Sequence, residues 1–231
     1  MLGVLVNTLA VLCGSGVGLL CRRTIPEKLT KAVMTTIGFA TLILGISGAL
    51  RGENALVMIL SAVFGTIIGT LLDLDGRLDR LGALIGKKYG GKSGEASIAQ
   101  GFVTASLLFC IGAMTIVGSL DSGLRGDHGM IYTKSLLDLI SSCVLAATLG
   151  FGVLLSAAFV LVFQGSLVLL AGILAPVLSA SAISEMTCVG SLMIIALGMN
   201  IIGAGKFKVT NILPSIVLAP LFTWIMGRIT V

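Results

Sequence analysis

The chain has 231 residues, of which 56% are hydrophobic and only 11% are charged, and its formal net charge is +5 at pH 7. A soluble globular domain carries about 25% charged residues, so this composition excludes that class. Several apolar stretches reach roughly 18 residues, the length at which a helix spans a bilayer, and the alternation typical of barrel strands is absent. The sequence therefore predicts an all-α polytopic membrane protein that forms a single membrane domain over residues 1–231.

The basic residues and the cysteines argue against two other classes. Lysine and arginine lie in the loops between apolar segments, a pattern that indicates membrane topology and not nucleic-acid binding. The five cysteines lie in or beside apolar segments without a CxxC pair, so no disulfide framework is expected. No HExxH motif, intramembrane histidine or carboxylate cluster is present. We therefore expect no enzymatic activity, no metal and no cofactor.

The first half of the chain holds four predicted spans and one long polar stretch. Residues 73–97 place apolar side chains at helical spacing opposite Asp and Arg, and a Gly/Lys/Ser-rich tail follows. This pattern predicts a cytoplasmic helix lying in the membrane interface, followed by a flexible loop. The first apolar segment lacks the basic start of a signal peptide and is interpreted as a retained helix. The four spans are residues 2–21, 32–50, 54–72 and 98–118.

The apolar run Ser135–Leu174 is too long for one span. Its residues would extend about 60 Å as a straight helix, roughly twice the hydrocarbon thickness. The tripeptide "GFG" at 150–152 offers a tight break. The split predicts four more spans, at residues 135–149, 152–174, 185–203 and 209–228.

Charge counting agrees with about eight spans and an external N-terminus. That arrangement places eleven Lys/Arg in cytoplasmic loops and four outside. A seven-span alternative, without the break, gives ten and five, so both satisfy the positive-inside rule and length decides the choice.

With eight spans, segments 1–3 and 6–8 run in opposite directions. Each set is a helix, a Pro-containing loop and two helices joined by a short turn. This predicts an inverted repeat of residues 1–72 and 152–231 around central segments at 98–151, an architecture that recurs in secondary transporters.

One carboxylate, Asp138, begins an apolar run that holds no other charge until Glu185. An unpaired acid in hydrocarbon is costly, so such groups face protein or water. Two interpretations stay open: Asp138 pairs with Lys134 one turn earlier as an anchor, or it faces a polar cavity and binds a cation or a proton. The helical stripe that carries it comprises Lys134, Asp138, Ser141, Leu145 and Thr148, with Ser142 beside it.

A Gly-rich hydrophilic loop is predicted over 112–129. Its glycines would let the backbone approach a ligand closely, and Asp121 and Asp127 could supply oxygens. A solvated turn before the next span is the alternative. The glycines are Gly112, Gly118, Gly123, Gly126 and Gly129.

Other intramembrane polar residues most often form hydrogen bonds between helices. They are Asn7, Gln164, Asn200 and Asn211. Asn200 occupies the repeat position of Ser47 and therefore ranks above the others, whereas Asn211 and Pro214 mark a possible kink. Small-residue faces at 14–18 and 61–69 predict close packing, either within the bundle or to a second copy in a homodimer.

Several motifs together resemble one bacterial family. They are "NTLAVLCGSGVG", "LLFCIGAMTIVGSLDSGLRGD", "KSLLDLISS" and "NILPSI". The chain is similar over its whole length to the inner-membrane family called domain of unknown function 554. The resemblance implies a multi-pass protein of the bacterial cytoplasmic (inner) membrane and places Asp138 in a motif, but it implies no substrate. The matching motif positions are Asn7, Gly112, Gly118, Gly123, Gly126, Asp127, Lys134, Ser135, Asp138, Asn211 and Pro214.

Two functions are compatible with these patterns. The first is a transporter or channel for an unknown small solute or ion, embedded in the lipid bilayer, with Asp138 at its site. The second is a non-transporting signalling or assembly protein that acts through its helix-packing faces and the basic 73–97 segment. The candidate site residues are Asp138, Lys134, Ser141, Asn7, Asn200, Asp127, Gly112 and Gly118.

Overall fold

The structure is a computed structural model that describes residues 1–22, 27–78, 80, 95–111, 113–176 and 178–229. In these ranges all regular secondary structure is helical, which confirms the predicted all-α class. The helices are α1 (Leu2–Arg22), α2 (Glu27–Ala49), α3 (Ala55–Leu71), α4 (Glu95–Cys110), α5 (Ala113–Leu124), α6 (Gly129–Leu149), α7 (Phe151–Leu169), α8 (Ala171–Leu174), α9 (Ala180–Ile201) and α10 (Pro214–Ile229), and a 3-10 turn occupies Val209–Ile212.

The described helices include six that are long and apolar enough to cross a membrane. The helices α4 and α5 form a pair bent by 60°, and counting that pair as one span raises the number to seven. Helix α3 is apolar but has 17 residues, slightly fewer than a typical span of about 20. Each of the eight predicted segments thus coincides with a helix or a bent helix pair, and the polytopic class is confirmed.

The predicted break in the long apolar run lies at Gly150. Helix α6 ends at Leu149, α7 begins at Phe151, and Gly150 between them has φ +81°. An L-residue rarely adopts this conformation, whereas glycine adopts it without steric penalty. The run 135–174 is therefore two helices, as the eight-span arrangement predicts, and not the one continuous segment of the seven-span alternative.

The Gly-rich stretch forms a helix where a loop was expected. Residues 113–124 are α5, and only a short connection separates them from α6. Its glycines serve close packing: a Cβ on Gly123 would lie 2.5 Å from the carbonyl oxygen of Val168. Gly118 and Gly123 therefore reflect tight helix contact, whereas Gly126, with φ +69°, lies in the non-helical connection to α6. As a result α6 starts at Gly129, six residues before the predicted 135, and Asp138 lies well inside it.

The chain divides into two compact units, each built from two separate pieces. Unit 1 comprises residues 1–33 and 78–172, and unit 2 comprises 34–77 and 173–231. The predicted inverted repeat groups the chain differently, and it stays a prediction.

In unit 1, α1 packs closely along α6. Cβ atoms added to Gly14 and Gly18 would overlap the backbone carbonyl groups of Leu139 and Cys143, respectively. This contact between small residues brings the two backbones together and aligns the polar positions of both helices. The small-residue face at 14–18 therefore contacts this chain's own α6.

In unit 2, the second small-residue face packs against the start of α10. A Cβ on Gly65 would overlap Ser215, and one on Gly69 would overlap Asn211. Pro214 is the first residue of α10 and not a kink within a helix, which suits proline because that position needs no donor. Both small-residue faces are thus used within their own units.

The polar stretch 73–97 is described only in part. Residues 74–78 and 80 are helical, as the first part of the stretch predicts. Residues 79 and 81–94 lie outside the described residues, as does the predicted loop within them.

Candidate functional site

Four polar side chains from three helices of unit 1 meet in a buried network. The Nζ of Lys134 lies 2.5 Å from Oδ2 of Asp138. The Asn7 amide nitrogen donates to the same Asp138 oxygen and to Oε1 of Gln164, each at 3.1 Å. Asn7 and Gln164 are fully buried, and Lys134 and Asp138 are 6% and 5% exposed. We call these four residues the polar network.

The sequence positions of the network follow from helix geometry. Lys134 and Asp138 are four residues apart on α6, so their side chains lie one above the other on one face. Asn7 comes from α1 and Gln164 from α7. Their distances to Asp138 in sequence are large, and only the close packing of the three helices brings the amides to the carboxylate.

The charges of the network cancel formally, but its hydrogen bonds are incomplete. Oδ1 of Asn7 and Nε2 of Gln164 are buried and have no hydrogen-bond partner among the described residues. A buried unpaired polar group costs about 1–3 kcal/mol. One free acceptor and one free donor therefore stand beside a buried ion pair.

Unit 1 contains further unpartnered hydroxyl groups. Each is buried and lacks a hydrogen-bond partner within the described part of the chain; they are Ser15, Thr104, Ser106 and Ser119. The Phe109 ring lies below the ammonium group of Lys134, with Nζ 5.9 Å from the ring centroid. The interior of unit 1 thus contains several buried polar groups in addition to the polar network.

The predicted stripe on α6 is correct at Lys134 and Asp138 but wrong at Ser141. Ser141 is exposed, whereas Ser142 is fully buried and lies at the contact with Gly14. Helix α1 packs against the side of α6 that carries Ser142, so Ser142 is buried and its neighbour Ser141 is exposed. Ser141 does not belong to the polar network.

Two other candidates have visible local roles, and one lies outside the description. Asp127 is exposed, and its Oδ1 accepts a hydrogen bond of 2.9 Å from the Gly129 amide at the start of α6. Gly118 is buried in α5, and a Cβ there would lie 3.3 Å from atoms of Met130 and Ile131. Gly112 lies outside the described residues.

Asn200 belongs to unit 2, and its side chain closes a loop by hydrogen bonding to the backbone of Phe207. Its Nδ2 donates to the Phe207 carbonyl oxygen at 2.8 Å, and its Oδ1 accepts from the Phe207 amide at 2.7 Å. This reciprocal pair closes the connection after α9. Asn200 therefore does not join the polar network.

We expect Asn200→Ala to lower the free energy of unfolding by about 1–3 kcal/mol, since two hydrogen bonds of about 0.5–1.5 kcal/mol are lost. Chemical unfolding in detergent measures this effect. Lys206→Ala, at an exposed position in the same loop, is the control and should leave the stability unchanged. Equal stability of both variants would contradict the role of Asn200 in closing this loop.

Two important residues were not placed in a site from the sequence. Gln164 is a solitary amide in an apolar helix, but its spacing gave no sign that it faces Asn7. Glu185 is completely buried in unit 2, and its Oε1 accepts from the amides of Glu53 and Asn54 at 2.7 Å. The only sign of Glu185 in the sequence was its position as a single acid in an apolar segment. Among the described residues, no three His, Cys, Asp or Glu side chains form a group suited to a metal ion.

The fold and the polar network define a polytopic helical membrane protein with a buried ion pair. The chain belongs to the family described as "Protein of unknown function (DUF554)", whose model matches residues 2–224. This confirms the resemblance found in the sequence.

Two relatives are similar over nearly their whole length. "Uncharacterized membrane protein YdfK" of Bacillus subtilis is 32% identical over 230 residues, which cover 98% of this chain and 97% of the relative. "Uncharacterized protein YqgA" of Escherichia coli is 28% identical over 222 residues, covering 95% and 94%. No solved structure matches this chain.

Proposed function

We propose that this protein is a transporter or channel for a small polar solute or ion, with the polar network of unit 1 as its binding site. The observation that carries this proposal is the buried Lys134–Asp138 pair beside two unpartnered amide atoms, Oδ1 of Asn7 and Nε2 of Gln164. We also propose that the protein resides in the bacterial cytoplasmic membrane with its N-terminus outside.

The first argument is energetic. Burying an ion pair contributes little net stability, because desolvation offsets most of the attraction between the charges. Apolar residues of similar volume often stabilise a core equally well or better. Ionisable residues inside membrane helices therefore mark pathways and binding sites by default.

The second argument concerns the two open hydrogen-bonding positions. A ligand that donates to Asn7 Oδ1 and accepts from Gln164 Nε2 would complete the network. We expect water to bind both groups when no solute is present, and a polar solute to replace that water during transport.

The signalling or assembly alternative has less support. It relied on small-residue faces available to a partner and on the basic 73–97 segment. Both faces are covered within their own units, and residues 79 and 81–94 of that segment lie outside the described residues. It predicts no flux and no requirement for the Asp138 charge.

The test is flux in proteoliposomes, with wild type beside Asp138→Asn. Electrical recording with cations, anions and pH jumps detects charge movement, and an enclosed pH dye with a panel of small polar solutes detects electroneutral exchange. Asp127→Asn is the matched control, because it removes the same charge from an exposed position and retains an oxygen for the Gly129 amide. We expect flux in wild type and Asp127→Asn and at least a tenfold reduction in Asp138→Asn.

Two results would count against the proposal. Flux that survives Asp138→Asn would keep transport but reduce Asp138 to an anchor. Absence of flux in all assays would favour the signalling or assembly alternative.

A further inference from the structure

Unit 2 contains a buried carboxylate for which the proposed function has no use. Glu185 is fully buried on the second turn of α9. Its Oε1 accepts two backbone N–H bonds, from Glu53 and Asn54, immediately before α3. Its Oε2 is buried and has no hydrogen-bond partner in the described part of the chain. Half of the carboxylate is therefore held firmly and the other half is unoccupied.

No basic side chain among the described residues forms an ion pair with Glu185, in contrast to Asp138. The titratable groups on the adjoining turn are Arg51 and Glu53, and both are exposed. On its own helix the neighbour is Cys188, whose Sγ donates to the Ala49 carbonyl oxygen at 3.1 Å. Helix α3 has no titratable side chain, and α10 has only the exposed Arg228. Helix α2, which contacts α9 at Gly45 and Gly48, has charged residues only in its first two turns. Among the described residues, the charge of Glu185 is thus balanced by two amides and by the N-terminal ends of α3 and of its own helix α9.

The surroundings fit a proton better than a metal cation. A metal ion such as Na⁺ or Ca²⁺ needs several oxygen ligands at once. The groups that reach Glu185 in the described part of the chain are N–H donors, so they supply no further oxygen ligand for a metal ion. A proton needs a single lone pair, and Oε2 offers one.

We propose that Glu185 is a proton-binding residue of unit 2. On acidification a hydronium ion gives its proton to a lone pair of Oε2. One O–H bond of the hydronium ion breaks, an O–H bond to Oε2 forms, a water molecule leaves, and the carboxylate becomes a neutral acid. Oε1 then changes from a charged to a neutral acceptor. Charge-assisted hydrogen bonds are roughly twice as strong as neutral ones, so protonation loosens the hold on residues 53 and 54. Proton binding and the start of α3 are therefore coupled.

The test is infrared difference spectroscopy of the detergent-purified protein during acidification, which detects the carbonyl band of a newly protonated carboxylic acid. Glu185→Gln retains an oxygen for both amides but cannot take up the proton. Glu53→Gln is the matched control, since it removes an exposed carboxylate from the adjoining turn and leaves its backbone N–H intact. We expect a band that exchanges slowly in D₂O in wild type and Glu53→Gln, and its complete loss in Glu185→Gln.

A second measurement decides the question if Glu185→Gln does not fold. The chain has three other glutamates, Glu27, Glu53 and Glu95, and all three are replaced by glutamine. Labelling with ¹³C-glutamate then shifts the band of Glu185 alone and leaves Asp138 unshifted. A labelled, slowly exchanging band supports the proposal. An unshifted band, no band, or a spectrum of Glu185→Gln identical to wild type would overturn it. None of these readings depends on transport or on Asp138.

Discussion

Gly14→Ala and Gly18→Ala are each expected to destabilise the protein, whereas Gly16→Ala should be neutral or slightly stabilising. A Cβ at Gly14 or Gly18 would overlap backbone carbonyls of α6, while one at Gly16 meets no atom within 4 Å. Overpacking of this kind costs about 1–3 kcal/mol, and backbone cannot move aside as a flexible side chain can. In the opposite direction, alanine gains about 1 kcal/mol in helix propensity over glycine.

The three variants are matched, because each adds one methyl group to the same helix. Thermal unfolding in detergent, followed by circular dichroism, measures their order. The combined Gly14→Ala/Gly18→Ala variant should show the largest loss, and it should also impair the polar network, since Asn7 reaches Asp138 only when α1 lies close to α6. If Gly16→Ala were as destabilising as the other two, the contact between α1 and α6 would be incorrect.

The second large effect is expected in a double-mutant cycle on the ion pair. Lys134→Met and Asp138→Leu should each lower the free energy of unfolding by about 3–5 kcal/mol, because each leaves one buried charge without its partner. The double variant should recover most of this loss, since an apolar pair of similar volume is often tolerated as well as the ion pair.

Measuring flux on the same three variants separates the two interpretations of Asp138. If the pair is the binding site, the double variant is stable but inactive. If the pair is only an anchor, stability and flux recover together. An additive cycle, with the double variant as unstable as the sum of the single ones, would contradict the direct coupling between Lys134 and Asp138.

The features predicted correctly from the sequence were those governed by local composition and length. Apolar runs located the spans, and the impossible length of Ser135–Leu174 located the break at Gly150. The i, i+4 spacing made the Lys134–Asp138 pair one of the two interpretations of Asp138. These predictions needed no knowledge of which helices are neighbours.

The features that sequence reasoning missed depend on contacts between distant segments. Glycines in 113–124 were interpreted as loop formers, but they allow close packing within a helix. Ser141 and Ser142 are adjacent in sequence, and only the position of α1 decides which one is buried. Gln164 and Glu185 acquired their partners in the same way. Spacing along one helix cannot predict such partners.

The interleaving of the two units has a consequence for biosynthesis. The bond between Asn7 and Asp138 spans 131 residues of chain, and that between Asn7 and Gln164 spans 157. At a synthesis rate of about 5–20 residues per second, several seconds or more separate the synthesis of α1 from that of Asp138 and Gln164. During that interval its amide must find water or another protein. Unit 1 is therefore completed late, and early truncation of the nascent chain leaves α1 without its partners.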